Sequence, residues 1–238
     1  MRERPILYSG EMVRATLDGR KTKTRRIIKP QPIYNSMGTW IYGGDIFFTE
    51  EDMGIHLFHN VYGNKGTPFG SFYSDGGDHL WVKETFCDMG AGTMPGRIQY
   101  RATFTDLDQA MWHQSGYSPI WKPSIFMPRW ASRIDLTITQ VKVERLQDIT
   151  EEEAWAEGVG GQMGPLDIDG RVLFRGLWNS LYAKPKPVYR GKGVIDYYES
   201  YPWEDIHEMR EYRGKPWNVI GNPWVWAISF NEKKPEEE

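Results

Sequence analysis

The chain has 238 residues, of which 39% are hydrophobic and 14% aromatic, with eleven Trp and a formal net charge of −3. Its length admits one large domain or two small ones, and large rings supply the buried area a core needs. The slightly negative charge argues against a strong nonspecific DNA binder, and twenty-five Gly with fifteen Pro argue against a helical bundle.

Cys87 stands alone, which rules out an internal disulfide framework and a zinc cluster built on cysteines. No apolar h-region follows Met1-Arg2-Glu3-Arg4-Pro5, and no run approaches the ~18 apolar residues of a membrane span. The expectation is a soluble cytoplasmic protein without a membrane partner.

In chain order, residues 5–9 read as a short strand, and Glu11 to Leu17 as a helix of two turns stopped by Asp18-Gly19. Gly19-Arg20-Lys21-Thr22-Lys23-Thr24-Arg25-Arg26 then places five cations and two hydroxyls in eight residues, and begins as the loop leaving that helix. So dense a charge repels itself unless an anion or carboxylate meets it. Residues 31–76 read as an insertion with short strands, Ile46-Phe47-Phe48 among them. His79 to Phe86 carries the clearest strand signal of the first half. If Leu80, Val82 and Glu84 share a face, Glu84 points inward and needs a cation such as Arg26 or Lys21. The bland alternative is an edge carboxylate in solvent.

Residues 87–120 read as a second excursion, with a strand from Ile98 to Thr103. In the next long strand Ile134, Leu136 and Ile138 alternate, then Val141 and Val143 take the opposite parity. A β-bulge at Thr139-Gln140 explains the slip; apolar contacts on both faces would explain it equally. Thr150, Glu153 and Gly158 mark a complete short helix with a capping box. A second helix runs roughly from Arg171 to Tyr182, residues 183–216 read as a third excursion, and Trp224 to Phe230 as a final strand.

Four of these segments occur in an order that resembles the ASCH family: Gly-Arg-Lys-Thr-x-Thr, Gly77-Asp78 with Trp81-Val82-Lys83-Glu84, the Ile149–Gly158 helix, and the Trp224–Phe230 strand. The likeness is to the longer phage and prophage members and covers less than half of the chain. It implies an α+β fold, a PUA-like small β-barrel, within a single domain spanning 1–238 with insertions at 31–76, 87–120 and 183–216. One branch of the family is a bacterial amidohydrolase of N4-acetylcytidine. By residue-type match Lys21 takes the place of its activating Lys, Thr24 of its nucleophilic Thr, and Glu157 of its Glu. Lys23 and Arg25 depart from that pattern by replacing apolar neighbours.

A Thr hydroxyl needs a base within hydrogen-bond reach, and a Lys can serve when neighbouring cations or burial lower its pKa. Thr22 is an alternative nucleophile to Thr24. Arg20, Lys23, Arg25 and Arg26 are candidate phosphate ligands, and Lys83 and Glu84 candidate supporting residues. Arg129 and Trp130 are candidates for contact with a base, although Trp residues more often fill a core. The five His show no metal-ligand spacing, and neither a Walker loop nor a dinucleotide fingerprint occurs, so no metal and no cofactor is expected.

The resulting expectation is a nucleoside- or nucleic-acid-directed hydrolase, an amidohydrolase of acylated cytidine or a nuclease. The alternatives are a noncatalytic RNA- or DNA-binding module and a phage interaction protein.

Overall fold

A computed structural model of the protein describes residues 3–29, 31–34, 40–42, 46–48, 59–60, 78–88, 98–116, 118–160, 168–191, 193–212 and 214–232. The chain divides into two compact units, one of residues 1–22, 75–140 and 229–238, the other of residues 23–74 and 141–228.

The strands are β1 (Glu3–Leu7), β2 (Lys23–Ile27), β3 (Ile33–Tyr34), β4 (Trp40–Tyr42), β5 (Ile46–Phe48), β6 (His59–Asn60), β7 (His79–Lys83) and β8 (Phe86–Asp88). They continue with β9 (Ile98–Tyr100), β10 (Asp135–Arg145), β11 (Pro187–Arg190), β12 (Gly193–Tyr197), β13 (His207–Tyr212), β14 (Lys215–Ile220) and β15 (Trp224–Glu232). The α-helices are α1 (Gly10–Leu17), α2 (Asp106–Gln114), α3 (Glu151–Ala156) and α4 (Gly170–Tyr182). The largest sheet has the order β1-β7-β10-β15-β2, and the described residues form a mixed α+β structure without a closed barrel.

In the first unit β1 runs parallel to β7, with Ile6 opposite Val82, while β10 is antiparallel to β7, with Leu136 opposite Leu80. Leu80, Val82 and Glu84 are all buried, so one face of this stretch does carry the carboxylate inward. Ser9 caps α1 by accepting from the Met12 amide at 3.3 Å. The second excursion contains a helix the hydrophobic pattern does not announce: α2 has no buried residue, and a capping box between Thr105 and Asp108 starts it.

The second unit builds its core from Leu146, Ile149, Ala154, Val159, Phe174, Trp178 and Val225. Helix α3 has the expected capping box, in which Thr150 Oγ1 accepts from the Glu153 amide at 3.2 Å. Residues 183–216 are not a structureless excursion. They carry the antiparallel hairpin of β11 with β12 and the strand β13, which pairs antiparallel with β14 just beyond them. In β10, Leu136 and Ile138 are buried, Thr139 and Gln140 exposed, and Val141 buried again. The change of parity thus falls where the sequence puts it.

The basic stretch begins as the turn and loop that leave α1, as expected. Its second half is β2, and a single bridge residue, Lys21, precedes it.

Candidate functional site

Thr24 and Arg25 are adjacent in β2 and are respectively 2% and 3% exposed. Successive side chains of a strand point to opposite faces, so β2 is covered on both. Lys23, Arg25 and Ile27 share the face toward α3 and α4, where Ile27 packs on the Phe174 cluster. Thr24 and Arg26 belong to the other face.

Arg25 is enclosed by carboxylates within the second unit. Its Nε and Nη2 donate to Glu144 Oε1 at 2.8 and 2.5 Å, and Nη2 donates to Glu153 Oε2 at 2.6 Å. Nη1 donates to Glu157 Oε1 at 3.3 Å. The guanidinium carbon lies 5.9 Å from the centre of the Phe174 ring. Glu153 and Glu157 reach one guanidinium because positions four apart share a helical face. Lys23 Nζ adds a hydrogen bond to Glu153 Oε1 at 2.6 Å.

The electrostatics follow from this geometry. Burial disfavours the Arg25 charge, but Glu157, Glu144 and Glu153 outweigh it and hold the group above its ordinary pKa. For Glu144 burial prevails over the attraction of Arg25, with Glu153 adding repulsion, and its carboxyl is raised. Glu153 is pulled below its ordinary value: burial opposes this, and the hydrogen bond from Lys23 and the charges of Arg25 and Lys23 overcome it.

Arg25, expected as a phosphate ligand, thus meets three carboxylates of its own unit. Its guanidinium has no exposed side-chain surface, and Nε, Nη1 and Nη2 each donate to a carboxylate. Lys23 is likewise engaged by Glu153, with its side chain 25% exposed. Glu144 is a partner of Arg25 that the sequence reading did not name. Its only signal was that a buried arginine on β2 demands acidic partners.

In the first unit Lys21 is 2% exposed, with Nζ 5.5 Å from the centre of the buried Tyr8 ring. Its amide donates to the Ala15 carbonyl at 2.9 Å, tying it to the end of α1. Thr22 is exposed, and its carbonyl accepts from the Phe230 amide at 3.0 Å. Arg20 pairs with Asp18 at 3.1 Å. Arg26 is half-buried.

Glu84 is met by Arg133, a partner the sequence did not propose for it. Nε and Nη2 reach its two carboxylate oxygens at 2.8 and 3.1 Å, and the guanidinium carbon stands 4.0 Å over the Tyr100 ring. Lys83 Nζ donates to the Ile125 carbonyl and lies 5.5 Å over Trp81. Arg129 binds Glu3 Oε2 at 3.1 Å and Asp135 Oδ1 at 2.9 Å, so two carboxylates share its charge. Trp130 is not a core residue: it is 67% exposed.

Comparison with protein-family models, with curated proteins and with solved structures found no match. Among the described residues no helix is long and apolar enough to cross a membrane.

Proposed function

We propose that the protein is a nucleoside- or nucleic-acid-directed hydrolase of PUA-like, ASCH type, with Thr24 as nucleophile and Lys21 as the base that activates it. The observation that carries this reading is the burial of both groups to 2% exposure, three residues apart in the chain. A buried lysine and a buried hydroxyl are costly to desolvate, and functional sites are where such cost recurs. The PUA-like fold and the amidohydrolase chemistry rest on the order of the four sequence segments.

In this reaction the Thr24 hydroxyl gives its proton to the neutral Lys21 amine and its oxygen attacks the amide carbonyl of an acylated base. The amide C–N bond breaks, the amine leaves with the proton from Lys21, and water then hydrolyses the Thr24 ester. Glu157 is a positioning residue, held by Arg25.

The experiment offers N4-acetylcytidine and a panel of RNAs to wild type, Lys21→Ala, Thr24→Val and Thr24→Ser. Circular dichroism confirms that each variant folds. Thr24→Val abolishes turnover and Thr24→Ser retains part of it. Turnover that survives both Lys21→Ala and Thr24→Val removes the mechanism.

A second reading, a noncatalytic nucleic-acid-binding module, is favoured by the exposed Trp130 beside Arg129. Under it no substrate turns over, while RNA affinity falls with salt and with Trp130→Ala.

A further inference from the structure

The last turn of α4 and the residues that follow it line a pocket of about 250 Å3 lying wholly within the second unit. Three lysines line it, Lys29, Lys184 and Lys186, together with three tyrosines, Tyr182, Tyr198 and Tyr201. Glu199 also lines it, and its carboxylate accepts a hydrogen bond from the Tyr201 hydroxyl. Three ammonium groups against one carboxylate leave the wall net positive.

The helix end contributes little to counter that charge. The Tyr182 carbonyl accepts from the Tyr201 amide at 2.8 Å, and the Asn179 carbonyl from the Ala183 amide at 3.1 Å. Both are carbonyls of the C-terminal turn, so the negative end of α4 is partly capped.

The rings differ in what they offer. Tyr201 is 1% exposed, with Lys29 Nζ 4.8 Å from its ring centre. Tyr182 packs against Trp178 at 4.5 Å between centroids and has Lys186 Nζ at 5.9 Å. Tyr198 is 56% exposed and presents aromatic surface at the pocket.

An apolar ligand would strip water from three ammonium groups without compensation. A bare inorganic anion would make no use of the rings. The volume lies just under the ~300 Å3 at which drug-sized pockets begin, so the occupant is small. A nucleotide satisfies all three constraints: base–aromatic stacking tolerates any base, and lysine is a point-charge phosphate ligand.

We propose that this pocket binds a single nucleoside monophosphate unit, free or as one residue of a single strand, its base stacked on Tyr198 and its phosphate held by Lys184 and Lys186. The proposal gives the excursion at 183–216 a role. It extends the nucleic-acid-directed reading but uses none of Lys21, Thr24 and Glu157, so the two fail separately.

The test is calorimetric titration at low salt with uridine monophosphate, uridine, inorganic phosphate and a uridine pentanucleotide. Wild type is compared with Lys184→Ala/Lys186→Ala, Tyr198→Ala and Tyr198→Phe. Uridine monophosphate should bind at least about tenfold tighter than uridine or phosphate. The double lysine variant should lose about tenfold or more, Tyr198→Ala about tenfold, and Tyr198→Phe little, because the stacking face is kept. A pentanucleotide that binds tighter than the monophosphate assigns the site to a strand; equal or weaker binding assigns it to a free nucleotide. Absence of binding, parity of the monophosphate with phosphate or with uridine, or an unchanged affinity in the lysine variant overturns the proposal. Heat of mixing is read without turnover, so a failed acetylcytidine assay leaves this result standing.

Discussion

Arg25 and Glu144 are joined through a single oxygen: Glu144 Oε1 accepts from both Nε and Nη2 of Arg25, at 2.8 and 2.5 Å. That leaves the rest of the guanidinium to Glu153 and Glu157. One cation therefore compensates charge arriving from β10 and from both ends of α3.

Removing that cation should be among the most damaging single changes in the second unit. Arg25→Ala leaves three carboxylates near one another in partly buried positions, and breaking a buried pair costs about 3–5 kcal/mol. The loss should shrink as pH falls. Without Arg25 the carboxylates' folded pKa values rise above their unfolded ones, which favours the fold at acid pH and disfavours it above. Urea unfolding at pH 7 and at pH 5 measures both effects. A loss below about 1 kcal/mol at pH 7, or one that grows on acidification, would refute this account of the cluster.

The same cluster should titrate in a definite order. Glu153 is depressed, so its contribution to stability is present above the unfolded pKa and is lost as pH falls through the folded one. Glu144 is raised, so the folded chain holds its proton more tightly than the unfolded chain does. Its contribution favours folding at acid pH and disappears as pH rises through the folded value. On acidification Glu144 should protonate before Glu153, as read from side-chain carboxyl carbon shifts in an NMR titration. The reverse order would show that burial of Glu144 has been misjudged.

Local signals were the legible part of the sequence. Thr150 with Glu153, the span of α4 and the parity change at Thr139-Gln140 each depend on neighbours within a few residues, and each is seen in the structure. Partners distant in the chain were not legible. Glu84 reads as needing a cation, but nothing in the order of residues distinguishes Arg133 from Lys21 or Arg26, because that choice depends on which strands become neighbours. Arg25 reads as one more cation in a basic run, and only its strand face shows that it points to α3. The hairpins β11–β12 and β13–β14 escaped because their strands bury few apolar side chains, while α2 escaped because it buries none.

Gly221 marks a close backbone approach in the second unit. A Cβ built on it would lie 1.9 Å from the Glu204 carbonyl oxygen and 2.4 Å from the Ile206 amide nitrogen. Those are main-chain atoms, and the Gly221 amide donates to the Ile206 carbonyl at 2.8 Å. The 204–206 segment cannot yield without breaking that bond. Gly221→Ala should therefore destabilise by at least the ~1–3 kcal/mol of overpacking. Gly176, whose Cβ would meet nothing within 4 Å, provides the control. Its substitution by Ala in α4 should stabilise by up to about 1 kcal/mol. Thermal melts of the two variants test the contrast, and equal midpoints would sink it.

The Glu84–Arg133 pair isolates a buried charge in the first unit. Glu84 is 2% exposed in its side chain, whereas Arg133 is 25% exposed. Arg133→Ala strands the carboxylate, at a cost below the ~3–5 kcal/mol of a fully enclosed pair because water reaches part of the site. Glu84→Gln keeps the shape and removes the charge, leaving Arg133 able to hydrate itself and to stay over Tyr100. Arg133→Ala should therefore be the more harmful of the two single changes, and adding Glu84→Gln to it should recover part of the loss. A double-mutant cycle by urea unfolding should give a coupling energy above about 1 kcal/mol. Strict additivity would mean that the two groups stabilise the unit independently, and that the buried carboxylate is satisfied by something other than Arg133.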